Sequence, residues 1–122
     1  MDQEQWEQKR QFYRLRYPDH DRPIISIMDE EFYVCEISEQ GMRIVFVSDT
    51  PVEVGVIISG LVTFYDDKSV EVQGTILRQH ESEVAVKLID DGISFRRMTQ
   101  EQMHLRQKYP GMYGRKKKAL AS

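Results

Sequence analysis

Cys35 is the only cysteine in this chain of 122 residues, so an intramolecular disulfide is excluded and no thiolate cluster can hold a structural zinc. No apolar run approaches the roughly 20 residues that span a bilayer, and the acidic start Met1-Asp2-Gln3-Glu4-Gln5-Trp6 has neither the basic beginning nor the apolar middle of a secretory signal. Cytoplasmic residence without membrane insertion is the expectation. His20, His80 and His104 are dispersed, and Asp66-Asp67 and Asp90-Asp91 read as turns rather than a carboxylate dyad. Asp19-His20-Asp21 contains ligand-type residues, but neighbours in one loop rarely converge on an ion. No catalytic constellation, metal site or cofactor is therefore expected, and the chain reads as a non-enzyme.

With 40% hydrophobic and 30% charged residues, the chain has the make-up of one ordinary globular domain. Its net charge of −3 hides an asymmetry. Residues 9–22 carry five Lys/Arg against two Asp, residues 23–95 carry four against fourteen Asp/Glu, and residues 96–118 carry eight against one Glu. A barrel or sheet so acidic repels a long polyanion, whose binding rests on many phosphate contacts. A local basic cluster is enough for a small anion.

From Pro23 to Ile89, short runs of Val, Ile, Phe, Tyr and Thr alternate with turn residues, which predicts strands at 24–28, 32–38, 42–48, 55–65, 70–79 and 83–89. Connections this short imply antiparallel neighbours. In 32–38, Tyr33, Cys35 and Ile37 alternate with Phe32, Val34 and Glu36, and in 83–89 Val84, Val86 and Leu88 oppose Glu83 and Lys87. Cys35 is expected to act as a small buried hydrophobe. Gly60 and Gly74 interrupt strand patterns as glycines do at bulges or bends, and six short bent strands favour a small barrel. Beyond Asp90-Asp91-Gly92 the spacing of Thr99 and Gln102 suggests a capping box with Met98 and Met103 as its hydrophobic staple. It predicts a helix over 100–109, ended by Pro110-Gly111 and lying across the barrel. Residues 110–122, with Arg115-Lys116-Lys117-Lys118, read as a solvated basic tail, the alternative being a functional basic anchor.

Two short pieces carry the chemistry. Arg10-Gln11-Phe12-Tyr13-Arg14 spaces two guanidinium groups so that both can converge on one ligand in either helical or extended backbone, while Phe12 and Tyr13 can pin the segment. Guanidinium forks grip phosphate or the O6/N7 edge of guanine. Glu36-Ile37-Ser38-Glu39-Gln40-Gly41 offers an acceptor and a hydroxyl at a strand end, with Gly41 free to take positive φ in a tight hairpin. Read blandly, the first is a set of surface charges and the second only a turn.

Taken in order, the two pieces resemble the signature of the PilZ domain, the bacterial receptor for cyclic di-GMP: Arg-x-x-x-Arg, then (Asp/Asn)-x-Ser-x-x-Gly on a six-stranded antiparallel barrel with a C-terminal helix. The resemblance covers residues 8–109, with 1–7 and 110–122 as tails. It implies that Arg10 and Arg14 contact the phosphates and guanines of cyclic di-GMP, and that Glu36 and Ser38 bind a guanine while Gly41 shapes the turn. Glu36 departs from the pattern, keeping a carboxylate acceptor one methylene longer than Asp and lacking the donor of Asn. Gln11 supplies no further guanidinium beside Arg10. The resemblance also implies a protein effector in motility, pilus or exopolysaccharide control. A PilZ-like adaptor that binds no nucleotide is the alternative. A nucleic-acid-binding barrel using Phe46, Phe64 and Tyr65 as a stacking face is less favoured, because the barrel region is acidic.

Overall fold

The computed structural model describes residues 14–46 and 52–113. The β-branched runs form strands where their alternation places them: β1 Leu15–Arg16, β2 Ile24–Ile27, β3 Glu30–Ile37, β4 Gly41–Val45, β5 Ile57–Thr63, β6 Ser69–His80 and β7 Glu83–Leu88. All pairings are antiparallel and run β3-β2-β5-β6-β7-β4, and a further β3–β4 pairing closes these six strands into a barrel. β1 lies outside the six, paired to β3 through Leu15 opposite Ile37 and Arg16 opposite Glu36. No described helix is long and apolar enough to cross a membrane.

Two register shifts reset which residues face inward. In β3 the shift falls at Cys35, between Val34 and Glu36, so Val34 and Ile37 both enter the core although they are three apart. Strict alternation put Tyr33, Cys35 and Ile37 on one face; Tyr33 is instead half exposed, because the bulge reverses the inward parity along the strand. The second shift, between Ile76 and Arg78, leaves Leu77 facing out. The bulges are therefore not at Gly60 and Gly74, whose role is close approach. A Cβ on Gly60 would stand 2.8 Å from the Ile25 side chain, and one on Gly74 would stand 2.5 Å from Val86. Val84, Val86 and Leu88 face inward from β7 as their alternation predicts, joining Val34, Ile44 and Val62 in the core.

The helix α1, Phe95–Lys108, begins five residues before the predicted start. Its N-cap is Ser94, whose hydroxyl accepts from the Arg97 N–H at 3.1 Å, whereas Thr99 donates back to the Phe95 carbonyl inside the first turns. Met98 packs into the core while Met103 is exposed, so they form no staple. α1 turns Arg97, Met98, Glu101 and Leu105 toward the barrel. Pro110–Tyr113 forms a short helix α2 rather than the start of a tail, and the Tyr113 hydroxyl donates to the Arg16 carbonyl at 2.6 Å. The rest of the basic run, with the N-terminal residues 1–13, lies outside the described residues.

Polar groups hold α1 in place. Glu101, almost wholly buried, accepts from the Tyr17 hydroxyl at 2.6 Å and from Arg97 at 3.1 Å. Arg97 also bonds Asp66 and lies 4.6 Å over the Phe64 ring. Burial pushes the Glu101 carboxyl above its usual range, and burial beside Glu101 keeps the Tyr17 phenol protonated. Removing one partner strands the others without solvent. Glu101→Ala is expected to lower stability by about 3–5 kcal/mol, read as a shift in the denaturant midpoint at unchanged slope.

Candidate functional site

β1 brings the end of the first motif to the second. Its antiparallel register with β3, Leu15 opposite Ile37, carries Arg14 to the level of Ser38, and both line one concavity of about 710 Å³. The loop after β3 is tied by the Ser38 N–H donating to the Gly41 carbonyl at 2.9 Å, with the Ser38 hydroxyl 3.4 Å from the same oxygen. Gly41 does not adopt the positive φ expected of it. It is confined by neighbours instead, since a Cβ there would lie 3.3 Å from the Val86 carbonyl. Arg14, Glu36, Ser38 and Gly41 therefore share one concavity, and Arg10 lies outside the described residues.

Arg43, Arg78 and Lys87 also line this concavity. They are three of the four Lys/Arg in residues 23–95, a region with fourteen acids, and Glu36 is the only acidic residue lining the concavity among the described residues. A region that repels anions overall thus presents one cationic hollow. The linear sequence hides it, because Arg43, Arg78 and Lys87 stand on three strands and meet only through the β4–β7 and β6–β7 registers. Leu77 and Ala85 supply an apolar part of the wall on which a flat base can lie.

The Glu36 carboxylate is already engaged. Arg16 approaches it at 3.4 Å and Arg43 at 3.7 Å, while the other terminal nitrogen of Arg16 donates to Glu83 at 2.8 Å. Much of the positive charge of Arg16 is thus met by two carboxylates rather than offered to the hollow. The Arg16 hydrogen bond holds the Glu83 carboxyl below its usual range.

Cys35 is buried, its thiol 3.7 Å from the Arg43 carbonyl and its pKa raised by burial, as suits an unreactive core residue. Phe64 belongs to the core and Phe46 stacks on Phe32 at 4.6 Å, so neither offers a face for bases; exposed Tyr65 stacks on His104 at 3.8 Å. Asp21 accepts from Lys108 and Tyr109, each at 3.0 Å, latching the loop before β2 to the end of α1. Asp19, His20 and Asp21 form no metal-ligand cluster, and among the described residues no other group of His, Cys, Asp and Glu does.

The family model described as PilZ domain matches residues 8–109. This chain belongs to the PilZ domain family. PilZ is a family of cyclic di-GMP-binding domains that serve as binding and adaptor modules rather than enzymes. No curated protein matches the chain. Among solved structures, the Legionella uncharacterised protein Lpg0364 superposes with a TM-score of 0.54 at 14% identity, covering 80% of this chain and 97% of that one. That likeness carries the fold alone.

The carboxylates around this PilZ barrel set its acid sensitivity. Burial alone would raise the Asp21 carboxyl, but hydrogen bonds from Lys108 and Tyr109 outweigh it and hold the group below its usual value of 3.8. With Glu83 also lowered from 4.5, both contribute stability that is present above those ordinary values and lost as pH falls through the depressed ones. Glu101, raised by burial, has the opposite sign: its contribution is complete below 4.5 and lost as pH rises through its raised value. Asp21→Asn is therefore expected to be less stable than the parent above the ordinary carboxyl value of 3.8, with the difference shrinking as the pH falls below it, measured by urea unfolding across that range.

Proposed function

We infer that this PilZ domain is a cyclic di-GMP receptor that binds the dinucleotide between the segment bearing Arg10 and Arg14 and the rim formed by Glu36, Ser38 and Gly41. The observation behind this reading is the convergence of Arg14, Arg43, Arg78 and Lys87 on one concavity of a barrel otherwise dominated by acids. Two phosphodiesters need cations, and the guanidinium groups can also meet the O6/N7 edge of guanine or stack on it. The Ser38 hydroxyl lies beside the hollow to bond a base, and Leu77 gives a base an apolar contact. Engagement of the ligand by the N-terminal segment then changes the surface offered to a protein effector in motility, pilus or exopolysaccharide control.

A nucleotide-free adaptor is the second reading, and one observation favours it: the Glu36 carboxylate is shared by Arg16 and Arg43. Titration calorimetry with cyclic di-GMP, using GTP and single-stranded RNA as controls, separates the two. Heat is expected from cyclic di-GMP alone, abolished in Arg10→Ala and Arg14→Ala and weakened roughly tenfold in Arg78→Ala, as for one lost charged contact. Undiminished binding by all three variants overturns the site, and an absence of heat from the parent chain favours the adaptor.

Glu36→Asp supplies a separate measurement. The shorter carboxylate matches the family pattern and withdraws from Arg16 and Arg43. Binding is expected to tighten by about tenfold, the lower end of what one well-placed base contact supplies; an unchanged affinity removes Glu36 from the contact set.

A further inference from the structure

A second concavity, of about 660 Å³, lies on the barrel among Ser26, Ser59, Leu61, Glu71, Gln73 and the loop Asp90-Asp91-Gly92. Its three carboxylates, Glu71, Asp90 and Asp91, are exposed, and none has a side-chain partner among the described residues. It lies apart from the cationic hollow, with which it shares no lining residue.

Immediately after this acidic wall, α1 begins with a surface of the opposite character. Phe95, the first helical residue, is 72% exposed, and Met103 is 53% exposed. With Arg96 and Arg106, both exposed, they fall within one arc of roughly 100°, since Met103 and Arg106, eight and eleven positions on, return near the face of Phe95 and Arg96 stands one position, about 100°, round from it. The only acid in α1, Glu101, is buried on the opposite face, so the outer arc is apolar and cationic. Arg96 stands in the first turn, where no acidic residue offsets it and where the helix dipole disfavours a cation. Arg97 beside it is explained by Asp66 and Glu101, but Arg96 has no partner among the described residues. Both side chains face solvent.

The two surfaces adjoin along the chain, Asp91 and Phe95 being separated only by Gly92, Ile93 and Ser94. A patch with carboxylates at one end and an Arg–Phe pair at the other is self-complementary about a two-fold axis, each end meeting its opposite on a second copy. We propose that this patch is a homodimer interface, in which the start of α1 from one copy seats Phe95 against Leu61 and Arg96 against the Asp90–Asp91–Glu71 wall of the other. The exposed guanidinium matches a carboxylate in planar, bidentate fashion, and Phe, Met and Arg are the residue types enriched at interfaces. A second copy is the favoured occupant because this chain itself supplies both complementary halves. The interface is independent of nucleotide binding.

Sedimentation velocity of the full chain from about 10 to about 500 μM, the range of weak, transient contacts, tests it at low and high salt. A monomer–dimer equilibrium is expected, weakened by salt because the pairs are exposed. Arg96→Glu and Asp91→Arg should each weaken dimerisation at least about tenfold, and the double variant should recover most of the loss by exchanging the charges. Phe95→Ser should weaken it without changing the salt dependence. All three substituted positions are exposed, and far-ultraviolet circular dichroism checks that each variant folds. A chain that stays monomeric, a dimer indifferent to both single variants, failure of the charge exchange to rescue, or open-ended assembly overturns the proposal. So does co-sedimentation of the monomer with phosphatidylglycerol vesicles that is lost in Arg96→Glu, which makes the arc a membrane face. Cyclic di-GMP titration of Arg96→Glu should match the parent, so that a failed interface and a failed nucleotide site give different results.

Discussion

Closure of the barrel through the β3–β4 pairing is the constraint on which the rest depends. Joining the first long strand to the strand after it removes the open edge that an antiparallel sheet would otherwise expose, and it forces six short strands to coil tightly. The strain of coiling is met at Cys35 and Leu77, where extra residues bend β3 and β6, and at Gly60 and Gly74, where the barrel wall passes too close for a Cβ. Each device has a consequence for the surface. The bulge at Cys35 turns Glu36 outward beside Arg16 and Arg43, and the bulge before Arg78 turns Leu77 into the wall of the cationic hollow.

β1 is the link between the hollow and the helix. Only two residues long, it is held on one side by its pairing to β3 and on the other by the Tyr113 hydroxyl on the Arg16 carbonyl. Tyr17, next in the chain, is bonded to the buried Glu101 of α1. The residues that carry Arg14 into the hollow are thus fastened to both the barrel and the C-terminal helices. Barrel, arm root and helix form one connected unit.

The charge of the molecule is organised rather than averaged. Arg43, Arg78 and Lys87 gather at one hollow, Glu71, Asp90 and Asp91 at another, and the outer arc of α1 is free of acid. Such separation places cationic and acidic surfaces at different positions on one small domain.

Alternation and turn chemistry made six strands legible in the sequence, because side chains in a half-buried strand report their own faces. The paired motifs at 10–14 and 36–41 stood out for another reason: residue type and spacing carry chemistry directly, and that pattern pointed to the PilZ family to which the chain belongs. The start of α1 was misread because Thr99 and Gln102 have capping-box spacing, yet the barrel packing of Arg97 and Met98 extends the helix back to Ser94. Tyr113 has no local signal in the sequence, because its hydroxyl bonds the distant Arg16 carbonyl and its ring packs against the core. The bulge at Cys35, the engagement of Glu36 by Arg16 and Arg43, and the convergence of Arg43, Arg78 and Lys87 were decided by the tertiary structure alone. Each depends on which residues meet across strands, and register is set by closure of the whole barrel rather than by any local run of sequence.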